Sequence, residues 1–174
     1  MVLITVAALI FGTNTASAYN LEGYKWGGTP SSGCCASIYF GFRGSYLSDV
    51  ETAFTNGYEA WNESAANVVF VDNGSANISF EGADNSGVTW DGLTTYNTLS
   101  NGTFSYAWAY VNYYYTRGYS ASVTQGVAAH ELGHVLGLAH TNGCVLMTPD
   151  TPTRAACGID TPTSDDINGV NHLY

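Results

Sequence analysis

Apolar and small residues recur along the chain at two periods. From Ser48 onward they fall at Val50, Ala53, Phe54, Gly57 and Trp61, the spacing of one helix face, and Ser48 with Glu51 has the pattern of a capping box that opens such a helix. Trp61 then reads as core rather than as a functional residue. Residues 36–42, rich in aromatic and β-branched side chains, predict a first strand. Residues 67–71 and 76–81 predict two more, split by the turn sequence Asp72-Asn73-Gly74. Residues 94–99 and 103–112 flank Asn101-Gly102, a strong hairpin signal. In the second arm Phe104, Tyr106, Trp108 and Tyr110 alternate with small residues, which predicts an aromatic face turned mostly to the core. Ser122 and Gln125 open a second helix as another capping box, with Val127, Ala128, Leu132, Val135 and Leu136 on its buried face. A last helix covers 163–174.

The second helix carries the chemistry. His130 and His134 are four apart and project from one helix face, so both imidazoles can meet one ion. Gly137, three residues on, ends the helix in a left-handed conformation and lets the chain bring His140 back to the same point. Three imidazoles leave one tetrahedral position open, as in catalytic rather than structural zinc sites, and Glu131 beside them is the natural general base. The bland alternative is a helix with ordinary surface or core histidines. A bare H-E-x-x-H arises by chance, but the longer pattern H-E-L-G-H-V-L-G-L-A-H is far more demanding. His172 has no spaced partner and reads as a surface residue.

These residues resemble the metzincin zinc endopeptidases, with Met147 placed for their methionine turn. Thr141, after the third histidine, is nearest to the serine of the matrixins. The resemblance implies an α+β, zincin/metzincin-like fold. It comprises a twisted five-stranded mixed sheet, two long helices, and a smaller C-terminal subdomain with the methionine turn and a closing helix. It further implies that Met147 is a floor beneath the metal, not a ligand. Gly92, Leu93, Thr94 and Thr95 would lie on an antiparallel outer strand that binds substrate, and Pro149 would lie on the wall of the pocket for the residue after the scissile bond. Matrixins carry a histidine-bound structural zinc in the region of 82–92, which has no histidine here, so one zinc is expected. The same stretch, Gly-rich with Asp84 and Asp91, has the composition of some calcium loops, although a solvated loop is the preferred reading.

Composition narrows the setting. The chain has 174 residues, enough for one domain, and only 10% are charged. Four Lys and Arg against 14 Asp and Glu give a formal charge of -10, which disfavours nucleic acid and anionic membranes as partners. An apolar run followed by Ala16-Ser17-Ala18 reads as a signal peptide over 1–18, leaving 19–174 as the catalytic domain of a secreted, monomeric enzyme. Cys34, Cys35, Cys144 and Cys157 fit an oxidising destination and allow three pairings. Cys144 with Cys157 would close a loop around Met147, and two longer bridges are the alternative. The expected activity is hydrolysis of protein or peptide substrates. Its rivals are an idle relative serving as a binding or adhesion module, and a hydrolase of other substrates. No Pro-Arg-Cys-Gly stretch like that of matrixin propeptides occurs, so activity is expected after signal removal alone.

Overall fold

The computed structural model describes residues 19–28, 35–44, 47–74 and 76–174; the expected signal segment and Cys34 lie outside the described residues. In chain order the elements are β1 (Asn20–Leu21), β2 (Lys25–Trp26), β3 (Ala36–Phe42), α1 (Ser48–Asn62), β4 (Val68–Asp72), β5 (Ile78–Ala83), β6 (Gly92–Thr98), β7 (Thr103–Asn112), α2 (Tyr113–Thr116), α3 (Ala121–Val135), β8 (Leu138–Ala139), α4 (Thr151–Ala156) and α5 (Ser164–Leu173). The longer strands run in the order β4, β3, β5, β7, β6, all parallel except β6, which pairs antiparallel with β7. The short β2 joins at Thr103 and Phe104, making a sixth strand beyond the expected five. β1 pairs antiparallel with β8, a contact that two-residue strands leave invisible to periodicity.

The core lies between this sheet and α1 and α3. Phe80 of β5 stacks on Phe40 of β3 at 4.3 Å and on Phe54 of α1 at 4.9 Å between ring centroids. The predicted stripe of α1 is buried in full, and its Trp61 donates from Nε1 to the Ala129 carbonyl of α3 at 3.0 Å.

Three local expectations need correction. α1 begins at Ser48 itself, so Ser48 is inside the helix rather than its cap; Leu47 takes the cap position and its carbonyl accepts from Val50 and Glu51. α3 is capped by Ser120, whose hydroxyl accepts from Val123 N at 3.3 Å, because the chain leaves the Gly118-Tyr119 turn already extended there. Ser122 and Gln125 are therefore helical. On β7 the core face belongs to Ala107, Ala109 and Val111, while Tyr106 is 49% exposed. Small side chains let α3 close on the sheet, and the aromatic face is displaced outward. Phe104 alone of the four returns to the interior, because a register shift in the β6–β7 ladder reverses side-chain parity before it meets Tyr96 at 4.8 Å.

Beyond Pro149, residues Thr151–Ala156 form α4. Asp150 caps it through Thr153 N at 2.9 Å, and Pro152 sits in the first turn, where its missing N–H is not needed. Of the cysteine alternatives, the Cys144–Cys157 bridge forms, with 5.6 Å between Cα atoms, and it closes the loop that holds Met147; Cys35 is disulfide-bonded as well. No helix among the described residues is long and apolar enough to cross a membrane.

Candidate metal centre

α3 presents His130 and His134 one turn apart near its C-terminal end. Gly137 follows with φ +100°, and a Cβ there would overlap the Tyr24 carbonyl, so both the turn and the close approach require glycine. The turn delivers His140. The Nε2 atoms lie 3.2 Å apart for His130–His134 and His130–His140, and 3.0 Å for His134–His140.

The outer nitrogens explain the orientation. His130 Nδ1 faces the Leu146 carbonyl at 2.7 Å and His134 Nδ1 faces the Leu138 carbonyl at 2.8 Å. A carbonyl can only accept, so each Nδ1 carries the proton and each Nε2 turns a lone pair inward. Converging lone pairs repel unless a cation lies among them. Nitrogens at ~2.0–2.1 Å from a tetrahedral ion stand about 3.3 Å apart, close to the observed edges, so the donor set fits zinc. Among the described residues, this triad is the group of histidine, cysteine and carboxylate side chains placed to share a metal ion.

Charge is arranged around the triad. Burial holds the His130 imidazole well below its ordinary value, and the Arg154 guanidinium adds to the effect. Burial also opposes protonation of His134, but its Glu22 and Glu131 neighbours outweigh burial and raise it. His140 is lowered by burial and by His134. Glu131, 5% exposed, is pushed up to about 7 by burial, against the pull of His134 and a hydrogen bond from Thr94. Thr94 Oγ1 lies 2.9 Å from Glu131 Oε2 and 3.0 Å from the Glu131 carbonyl.

A cavity of about 490 Å³ opens over these groups. Gly92, Leu93, Thr94 and Thr95 of β6 line it together with Glu131, His134 and His140. Gly92 admits the Glu131 carboxylate, which a Cβ would overlap. Pro149 is exposed ahead of α4 and does not line this cavity. Met147 is buried beneath α3 against Gly133, where a Cβ would overlap its sulfur. Its amide donates to Asp166 Oδ1 at 3.1 Å and its carbonyl accepts from Thr141 N at 3.0 Å. Asp166 of α5 also takes Leu146 N at 3.0 Å and Thr163 N at 2.8 Å, so the closing helix holds the methionine turn. His172 is exposed on α5, beside Tyr19 and away from the triad. In the 82–92 stretch, Asp91 accepts from the Tyr119 hydroxyl at 3.1 Å, and the buried Asn112 side chain bonds both backbone groups of Asn85 and the Trp90 carbonyl. These contacts order the stretch.

Two neighbours of the triad carried no sequence motif. Arg154 is buried, donating to the Thr148 carbonyl at 2.5 Å and to Thr151 Oγ1 at 2.7 Å, with NH1 3.4 Å from His130 Nδ1. Its only signal was rarity, as one of four basic residues. Glu22 Oε1 lies 3.4 Å from His134 Nδ1, and no spacing rule links residues so far apart in sequence.

The chain matches Peptidase_M10, the matrixin family, over residues 43–174. No curated protein sequence matches it. Among solved structures it is similar to high choriolytic enzyme 1, a hatching enzyme zinc-protease from Oryzias latipes (medaka fish), at 18% identity and TM-score 0.42, covering 67% of this chain and 50% of that one. It is also similar to two structures of myroilysin. One shows 19% identity and TM-score 0.41 over 60% of this chain and 49% of that one; the other shows 15% and 0.41 over 75% and 58%. The chain thus spans about half the length of the structures it resembles. With the matched region taking in the sheet from β4 on, the histidine triad, the methionine turn and the closing helix, the chain belongs to the matrixin family of zinc metallopeptidases.

Proposed function

We propose that the protein is a secreted zinc endopeptidase, with 1–18 as its signal peptide, 19–174 as its catalytic domain, and His130, His134 and His140 as ligands of one zinc ion. The observation that carries the reading is the convergence of three inward-facing Nε2 atoms within 3.2 Å of one another, beside the cavity that Glu131, His134 and His140 line.

Zinc in that position would supply Lewis acidity to the scissile carbonyl and to the attacking water. Glu131 takes a proton from that water and returns it to the leaving amine, a role suited to a carboxylate held near neutrality. Thr94 keeps the Glu131 carboxylate aimed into the cleft through its hydroxyl. Among the described residues β6 pairs with β7 alone, so an extended peptide can add to its other edge at Gly92 to Thr95 through backbone hydrogen bonds. Such docking suits protein substrates and demands little of their side chains.

The test is elemental analysis joined to a casein assay. One zinc per chain, with cleavage abolished by a chelator and restored by zinc, is the expected result. Zinc-loaded protein that leaves casein and a broad peptide library intact would favour the idle-relative reading.

A further inference from the structure

The metal site is framed from outside its own motif. β1 pairs Asn20 with Ala139 and Leu21 with Leu138, and Glu22 N donates to the Gly137 carbonyl at 2.9 Å. Asn20 Nδ2 reaches the His140 carbonyl at 2.8 Å, and Trp26 Nε1 reaches the Val135 carbonyl at 2.8 Å. The turn between the second and third histidines is therefore held by residues 20–26.

Within that frame one side chain carries charge to the histidines. The Glu22 carboxylate sets Oε1 3.4 Å from His134 Nδ1, while Oε2 accepts the Tyr96 hydroxyl at 2.9 Å. Tyr96 lies on β6, two residues beyond the Thr94 that contacts Glu131. Glu22 thus meets the N-terminal frame, a metal-site histidine and the strand edging the cleft. The Leu138 carbonyl, closer to the same Nδ1, already fixes the tautomer of His134. What Glu22 adds is negative charge behind the ring. Such a charge makes the opposite nitrogen a stronger donor and lies within Coulomb reach of a dication.

We infer that Glu22 is a positioning residue for His134, itself held by Tyr96, and that it sets how tightly the triad holds zinc. The inference rests on the zinc reading above. Glu22 does not touch the reacting atoms; it acts through the imidazole. Tyr96 acts through Glu22, so its influence depends on the carboxylate being present.

The experiment is chelator competition for zinc on the full chain, comparing the parent with Glu22→Gln, Tyr96→Phe and the double variant. Glu22→Gln keeps the shape and removes the charge. Zinc affinity is expected to fall about 10- to 100-fold in that variant, the range seen when outer partners of a metal-bound histidine are changed. Tyr96→Phe is expected to cause a smaller loss in the parent and almost none in the Glu22→Gln background. The visible spectrum of the cobalt(II) protein should shift with Glu22→Gln, a signature that a purely structural strap would not move. Parent-like zinc affinity in Glu22→Gln overturns the inference, even if the metal-free thermal midpoint falls. Equal Tyr96→Phe losses in both backgrounds overturn the coupling through Glu22. A parent protein that takes up no zinc overturns the reading of the triad itself, and the inference with it.

Discussion

α1 and α3 are each 15 residues long and pack against each other, yet they are built on different principles. α1 buries one stripe, Val50 to Trp61, and leaves its remaining faces toward solvent or partly covered. α3 is enclosed on most sides, with His130 at 3% and Glu131 at 5% exposure beside Val127, Ala128 and Leu132 at none. An amphipathic helix has a polar side that tolerates change. Beyond its first turn, a helix enclosed by sheet, partner helix and methionine turn has none, and its enclosed polar residues must each have a purpose. The difference predicts that α1 fails by losing stability, whereas α3 can fail by losing chemistry while the fold stands.

The largest expected effect is on the metal. His134→Ala should abolish stable zinc binding by elemental analysis while the far-UV circular dichroism of the chain persists, and the exposed His172→Ala should keep its zinc. Equal zinc loss in both would erase the distinction between triad and bystander.

On α1 the matching change is Trp61→Ala, which removes a fully buried indole and its hydrogen bond to α3. Denaturant titration should show a loss of about 3–5 kcal/mol. A loss near zero would mean that α1 is not the structural member of the pair. Gly133→Ala comes next. The added methyl meets the Met147 sulfur, and overpacking of this kind costs about 1–3 kcal/mol, measurable in the same titration. The smallest effect concerns where α3 starts. Ser120→Ala should cost ~1 kcal/mol through the lost cap, and Ser122→Ala should stay within about 0.5 kcal/mol. The reverse order would restore the cap to Ser122.

The same contrast explains what the sequence made legible. The stripe of α1, the Asn101-Gly102 hairpin and the spacing of His130, His134 and His140 are local patterns, and local patterns survive in one dimension. Sequence alone misplaces the caps because Ser120 and Ser122 both have suitable chemistry for α3, while at α1 the chain turns at Leu47, whose side chain makes no cap bond. On β7 bulk suggests burial of the aromatic face, whereas the close approach of α3 favours Ala107 and Ala109. Glu22, Arg154 and Asp166 reach the site from other elements, and no periodicity encodes a contact made only on folding.

The central claim, that His130, His134 and His140 hold zinc while Glu131 moves the proton, is tested most directly by measuring metal content and casein cleavage together on Glu131→Ala. One zinc per chain, as in the parent, with cleavage lower by ~10²- to 10⁴-fold, is the expected result. A zinc-loaded variant that cleaves at the parent rate, or one that has lost its zinc, would contradict it.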